Sequence, residues 1–400
     1  MRLFGLLLAS SQVLAAPLLE VKGQVIPGKW IVVMKESYDI DVVPSNKRDL
    51  EIEILATPQY TYSMGRFKAY AMDASDETIN KIAMLEDVAY VEPDTLIEIA
   101  TTVVESNSPW GLARISSRVP NTTNYVYDDS AGEGTYTYII DTGIYVEHPE
   151  FEGRATWGPS FVTNDTKPTT DEHGHGTHVA GTAGSKTYGV AKKTNLIAVK
   201  VLNGAGSGTA SQIIAGIQWA VDDAKSKGRL NRSVANLSLG GFSAGISSLS
   251  LAAGAAVEDG LFISAAAGNS AVPVEFFAPA QYPTLCSIGA SARDDSRAYF
   301  SNYGNGIDLF APGVDVVSTY NNGSTAVLSG TSMSAPHITG LGAYLLALEG
   351  DRDPIALCER MQELATKNVV TNSLSLNNMV AFNGVDEKSL TAYLEQLVGN

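Results

Sequence analysis

Cysteine is almost missing from this 400-residue chain, where Cys286 and Cys358 are the only two. One staple is therefore the maximum, and the core must supply most of the stability, which excludes a disulfide-dense miniprotein. Positive charge is scarce as well. The 27 Lys and Arg against 43 Asp and Glu leave a formal charge of −16, which argues against nucleic acid or an anionic membrane as partner. Past the N-terminus no apolar run reaches the roughly 18 residues that a membrane span needs. Internal repeats and low-complexity stretches are lacking too. What remains is 44% hydrophobic and 18% charged, an ordinary globular composition over a length that allows two or three domains.

The chain reads as four segments. Residues 1–15 place Arg2 before the apolar Leu3 to Leu8 and end in Val13-Leu14-Ala15, which predicts a secretory signal peptide and an extracellular location. Export makes a disulfide between the two cysteines plausible. It also makes Asn121, Asn164, Asn231 and Asn322, each in an Asn-x-Ser/Thr triplet, candidate glycan acceptors. Asn236-Leu-Ser matches too, but it lies in a strand-like run and is not expected to be glycosylated.

Residues 16–102 read as a small α+β unit. Trp30 to Met34, Tyr70 to Met72 and Val88 to Asp94 are expected strands, and Glu77 to Leu85 is a helix opened by Ser75 or Asp76. The unit closes on Thr95 to Ala100, an apolar extended tail of a kind that can lie along a groove. Residues 103–385 shift towards Gly, Ala and Ser. Strands are expected at Tyr136 to Asp141, Leu196 to Leu202, Ser233 to Leu239, Gly260 to Ala266 and Thr284 to Gly289. Helices are expected at Gly208 to Lys225 and Gly330 to Leu348. This alternation implies an α/β domain with a mostly parallel sheet flanked by helices. Residues 386–400 read as a polar C-terminal tail.

Three blocks carry the parts that nucleophilic acyl transfer needs: a hydroxyl, a base, a carboxylate and oxyanion donors. Tyr138-Ile-Ile-Asp141-Thr-Gly143 ends an apolar strand in a carboxylate, at the strand end where functional groups converge in open α/β sheets. As a bland alternative, Asp141 is a turn former. Asp171-Glu-His173-Gly-His175-Gly-Thr-His178 holds three of the chain's five histidines. Their spacing misses the His-Glu-x-x-His pattern of a zinc helix, and no Glu lies between them to act as base. The glycines point instead to a tight helix start that presents one histidine to a cleft. Ser329-Gly-Thr-Ser332-Met-Ser-Ala-Pro336-His337 places Ser332 at the start of a buried helix, with Pro336 in its first turn. There its N–H is an orphan donor backed by the helix dipole. Asn269, after the apolar Ala265 to Gly268, offers a second donor. Helix capping and turn formation are the bland readings of Ser332 and Asn269. A competing pattern exists: Gly241-Phe-Ser243-Ala-Gly245 matches a nucleophile elbow, with Asp308 and His337 following in the order of the α/β-hydrolases. His337 would then lie inside the Ser332 helix, and no His-Gly-Gly oxyanion motif precedes the elbow.

Asp141-Thr-Gly143, His175-Gly-Thr-His178-Val-Ala-Gly181-Thr and Gly330-Thr-Ser332-Met-Ser-Ala-Pro336 resemble the three signatures of the subtilisin-like serine proteases, in that family's order. The Asp, His, Ser order along the chain is that of the subtilisin triad itself. Pro109 to Ser117, Asp129 to Gly132 and His148 to Ala155 are most similar to the secreted fungal proteinase K group, and the likeness runs from about Pro109 to Asn383. The preceding unit, through Ile26 to Met34 and Val88 to Asp94, resembles that family's inhibitor-type propeptide.

The resemblance implies a secreted serine endopeptidase of broad specificity, made as a self-processed zymogen and monomeric. Ser332 would be the nucleophile, His175 the base, Asp141 its orienting carboxylate, and Asn269 with the Ser332 N–H the oxyanion site. Gly206, Gly208, Ser238, Leu239 and Gly240 would flank the substrate strand, with Ala266, Ala267 and Gly268 walling the primary pocket. Pro283, Leu285 and Asp308 match a structural calcium site of carbonyl and carboxylate oxygens, and Cys286 with Cys358 matches a family disulfide. Protein and peptide substrates, and the chain's own propeptide as folding aid and inhibitor, are the implied partners. Departures are visible. Tyr136 and Val179 stand where relatives have cysteines, and Arg118 and Val369 fall at the positions of a second calcium site, a departure from that site's pattern. The alternative of an inactive peptide-binding protein finds no support, because all four catalytic positions are filled.

Overall fold

A computed structural model describes residues 15–19, 25–38, 55–95 and 102–385, in two compact units, Met1–Ile99 and Ala100–Asn400. The signal-peptide segment up to residue 14, the apolar stretch after Thr95 and the tail 386–400 lie outside the described residues.

The first unit is a four-stranded antiparallel sheet in the order Pro58–Met64, Phe67–Asp73, Val25–Met34, Val88–Thr95. Helix Asp76–Ile82 begins where the Ser75 hydroxyl accepts the Thr78 N–H at 3.2 Å, a side-chain cap. Its Ile79 and Ile82 join Val32, Tyr70, Met72 and Val91 in one core. The helix stops at Ile82 instead of Leu85, because the residues after it turn to feed the Val88 strand. Strand Pro58–Met64 has no counterpart among the expected strands. None of its seven residues is buried, so it carries no period-two apolar signal.

In the second unit nine strands form one sheet. Their order is Thr366–Lys367, Met379–Val380, Leu309–Pro312, Cys286–Ser291, Phe262–Ala266, Ser233–Leu237, Tyr136–Asp141, Asn195–Lys200, Ala155–Ser160. All neighbours are parallel except the two-residue edge pair Thr366–Lys367 and Met379–Val380. Both faces are covered. Ile140, Val199, Ala235 and Ile263 face helices Ala210–Ser226 and Ser248–Glu258. Their strand neighbours Ile139, Ala198, Val234 and Phe262 face helices His175–Gly184, Thr331–Glu349 and Pro354–Leu364. That two-sided burial is why the strands read as continuous apolar runs. The five expected strands and two long helices are present, with ends shifted by no more than two residues.

Pro336 is the sixth residue of helix Thr331–Glu349, not the first-turn residue that the sequence suggests. Lacking an N–H, it leaves the carbonyl four residues back, that of Ser332, without its intrahelical donor.

Candidate active site

Asp141 is the last residue of its strand and is fully buried. Its Oδ1 accepts the Thr142 N–H at 2.7 Å and lies 2.8 Å from His175 Nδ1. A carboxylate only accepts, so Nδ1 donates and Nε2 is left as the basic nitrogen. His175 stands there because its helix begins against the Asp141 strand end: a Cβ on Gly176 would run into the Gly143 carbonyl. Asp171 fixes the same corner. Its Oδ1 accepts from the Thr142 hydroxyl (2.9 Å) and the Gly174 N–H (2.8 Å), and its Oδ2 accepts from the Thr177 N–H (2.9 Å) and hydroxyl (2.6 Å). The sequence alone gives Asp171 no role. An acidic residue just ahead of a helix start is the available signal.

Burial pulls the His175 imidazole down, but the charge and hydrogen bond of Asp141, with Asp171 adding, leave it above its ordinary value. His178 and His337 are different. Burial, the largest cause, takes each down to about 4 against a partial offset from backbone carbonyls, and for His178 the neighbouring His175 and His337 charges lower it further. His178 Nε2 meets the carbonyls of Val316 and Ala326, and His337 Nδ1 meets that of Met333. The three clustered histidines therefore diverge: His173 is exposed, His175 faces the cleft, and His178 is interior.

Ser332 is the second residue of its helix, where the N–H has no intrahelical acceptor. This helix and the His175 helix pack directly together. Met333 touches the cluster of Val179 and Ala180, and Gly340 abuts Ala183. The two run parallel, so His175 and Ser332 stand at the same end, beside the Asp141 strand end. In this rotamer the Ser332 hydroxyl bonds the Ser238 carbonyl at 3.2 Å, and no hydrogen bond joins it to His175 among the described residues. Such contacts often form only with substrate in place.

Asn269 Oδ1 accepts from the Thr331 N–H (2.8 Å) and hydroxyl (2.9 Å), which turns its NH₂ the other way. A Cβ on Gly330 would lie 3.3 Å from Asn269 Nδ2 and 3.6 Å from the Ser332 N. Both donors thus border one small space that only a glycine leaves open. Thr331, which aims the amide, is not singled out by the sequence, since nothing local marks a threonine as a side-chain anchor.

Ser238, Leu239 and Gly240 follow strand Ser233–Leu237, with exposure rising along them until Gly240 is open. Gly206 and Gly208 lie in the turn ahead of helix Ala210–Ser226, and the His173 ring lies against Gly206. Ala266 ends its strand, and Ala267 and Gly268 follow it, with the Gly268 N–H held by the Thr331 hydroxyl at 3.1 Å. The elbow set does not converge. The Ser243 hydroxyl donates to the nearby Gly245 carbonyl, and His337 is enclosed in the Ser332 helix.

Cys286 and Cys358 form a disulfide that ties strand Cys286–Ser291 to helix Pro354–Leu364. Beside it, burial pushes the Asp308 carboxyl up to about 6. Its oxygens accept from the Ser287 N–H (2.8 Å) and the Gln362 amide (3.0 Å), and no basic group is among its partners. A desolvated carboxylate without counter-charge, beside Cys286, to which Leu285 and Pro283 are close in sequence, is a hard oxygen donor of the kind that fits calcium. At the second site, Arg118 is committed to the carbonyls of Leu364 and Ala365 and stacks 4.0 Å over Phe382. Asn121, Asn164, Asn231 and Asn322 are exposed, whereas Asn236 is fully buried.

Comparisons with known proteins give the chain's family. The family model of the subtilases matches residues 132–388, and that of the peptidase inhibitor I9 domain matches residues 29–100. A cuticle-degrading protease of Metarhizium anisopliae is 45% identical over 372 residues, covering 92% of this chain and 93% of the relative. Subtilisin-like protease 1 of Trichophyton rubrum is 44% identical, covering 90% of this chain and 72% of the relative. The crystal structure of a cold adapted subtilisin-like serine proteinase superposes with a TM-score of 0.65 at 39% identity, over 70% of this chain and 99% of that one.

Proposed function

The chain belongs to the subtilase family and is a subtilisin-like serine endopeptidase preceded by an I9 inhibitor-type propeptide domain; we propose that it is a secreted enzyme of broad specificity that processes itself. The observation that carries the site assignment is the 2.8 Å bond between a fully buried Asp141 and His175, at the end of the fold where the Ser332 helix begins. In this reading Ser332 Oγ attacks the scissile carbonyl carbon and its proton passes to His175 Nε2. Asn269 Nδ2 and the Ser332 N–H hold the oxyanion. His175 then returns the proton to the leaving amine as the C–N bond breaks. Water hydrolyses the acyl-enzyme by the same steps in reverse. Substrate lies as an added strand between Ser238 to Gly240 and Gly206 to Gly208, with Ala266 and Gly268 beside its primary side chain. Small residues there impose little selection, which supports broad specificity.

Pro283, Leu285 and Asp308 would hold calcium, which would supply charge to a buried carboxylate and no chemistry. Self-cleavage falls between Ala100 and Val104, releasing the inhibitor unit. Among the described residues no helix is long and apolar enough to cross a membrane. Hydrolysis of a short peptide, blocked by a serine-directed acylating agent and lost in Ser332→Ala, tests the assignment. Activity that survives Ser332→Ala but disappears in Ser243→Ala would reverse it. Mass spectrometry of the active form tests processing, for which the expected N-terminus lies between residues 101 and 104.

A further inference from the structure

Helix Thr331–Glu349 breaks a rule of helix chemistry next to its reactive serine. Pro336 has no N–H, so the Ser332 carbonyl lacks the donor that an ordinary residue would supply. A buried carbonyl is not left unpaired without cost. Here the partner comes from another element: the Ser238 hydroxyl donates to the Ser332 carbonyl at 2.7 Å. That hydroxyl is itself aimed. Asn236 Nδ2 donates to Ser238 Oγ at 2.9 Å, and Asn236 Oδ1 accepts from the Thr339 hydroxyl at 2.9 Å, back on the helix that carries Ser332. Asn236 and Thr339 are fully buried and Ser238 nearly so. The Ser332 hydroxyl in turn donates to the Ser238 carbonyl at 3.2 Å, so the two serines bond each other reciprocally. This network also gives the buried sequon asparagine a task.

Taking Ser332 as the nucleophile, as proposed above, we propose that Asn236, Ser238 and Pro336 are positioning residues for the reaction. The proline empties one acceptor on the nucleophile's own residue. The Ser238 hydroxyl fills it and thereby ties the nucleophile's backbone to the strand on which substrate lies. An ordinary residue at 336 would satisfy the carbonyl within the helix and leave the helix start free to shift against that strand. Such a shift matters because displacing a reacting group by about 1 Å costs on the order of a hundredfold in rate.

A double-mutant cycle between Ser238→Ala and Pro336→Ala tests the device. Each protein is matured in trans by the parent enzyme and quantified by titration with a serine-directed acylating agent. The expected loss in kcat for Ser238→Ala is roughly tenfold to a hundredfold on a short peptide, with KM changed less than about threefold. In the Pro336→Ala background the backbone N–H gained at that position takes over the Ser332 carbonyl, and the same Ser238→Ala change is expected to cost less than about threefold. Ser238→Thr, which keeps the hydroxyl, is expected to retain kcat. A purely structural role would lower thermal stability alike in both backgrounds and leave kcat per titrated site unmoved. Equal loss in kcat, or failure to fold, in both backgrounds overturns the proposal, as does a kcat unchanged in Ser238→Ala. Failure of the underlying assignment looks different: titration by the acylating agent would then not abolish activity, and Ser332→Ala would remain active.

Discussion

Asp141→Asn probes the electrostatics of the site directly. The substitution keeps the shape of the side chain and removes a charge that is fully buried and 2.8 Å from the imidazole. When His175 takes the serine proton, the pair becomes ionic. Two unit charges about 4 Å apart attract by about 4 kcal/mol at an effective dielectric of about 20. At about 1.4 kcal/mol per factor of ten, losing that attraction slows the reaction roughly a thousandfold. An asparagine also offers an N–H to Nδ1 and so favours the wrong tautomer, which takes the expected loss towards about 10⁴-fold. The pH profile supplies an independent reading. His175 is raised above 6.5 because Asp141 outweighs the effect of burial. The base works only when neutral, so the acid limb of kcat/KM in the parent is expected above pH 6.5. In Asp141→Asn burial dominates, and the limb is expected to move to lower pH. The assay is kcat/KM on a short fluorogenic peptide from acid to alkaline pH, using variant matured in trans by parent enzyme. A variant within tenfold of the parent, or one whose acid limb stays in place, would refute the assigned role of Asp141.

Three further outcomes follow from buried polar groups, each read in a Ser332→Ala background to prevent autolysis. Arg114 and Asp295 form a buried two-point ion pair at 2.6 and 3.0 Å, and Asp295→Asn is expected to cost about 3–5 kcal/mol. For a domain of this size that lowers the thermal midpoint by about 5–8 °C, and a drop below about 1 °C would show that the pair contributes little. His178 and His337, both held near 4, bind protons in the unfolded chain between that value and 6.5. Their stabilisation is therefore complete above pH 6.5 and is lost as pH falls towards 4. His337→Asn is expected to flatten that slope in midpoint against pH, and an unchanged slope would exclude its contribution. Gln362 occupies one oxygen of Asp308, so Gln362→Ala is expected to widen the difference in midpoint between calcium and EDTA; an unaltered difference would show that the amide does not share the carboxylate's work.

Legibility in the sequence tracks how locally a function is written. Asp141, His175 and Ser332 are legible because each lies in a short run where glycines, small residues and one reactive group recur together, and their order along the chain names the chemistry. The central strands are legible because burial on both faces leaves uninterrupted apolar runs. Strand Pro58–Met64 is not, since it buries neither face. Arg114 and Asp295 are 181 residues apart, and no local pattern pairs a buried charge with so distant a partner. Thr331, which aims Asn269, looks like any threonine until the amide is placed 2.8 Å from its N–H. Pro336 is the instructive case. Read locally, it is a residue that a helix tolerates in its first turn. The sixth position instead deprives one carbonyl of its donor, and that carbonyl belongs to the reactive serine. Asn236, a polar residue inside an apolar strand, is the matching irregularity a hundred residues earlier. Each breaks a local rule without evident gain, and the gain becomes visible only where the Ser238 hydroxyl joins them. Positions that violate the local pattern in the interior are therefore where this sequence is best searched for function.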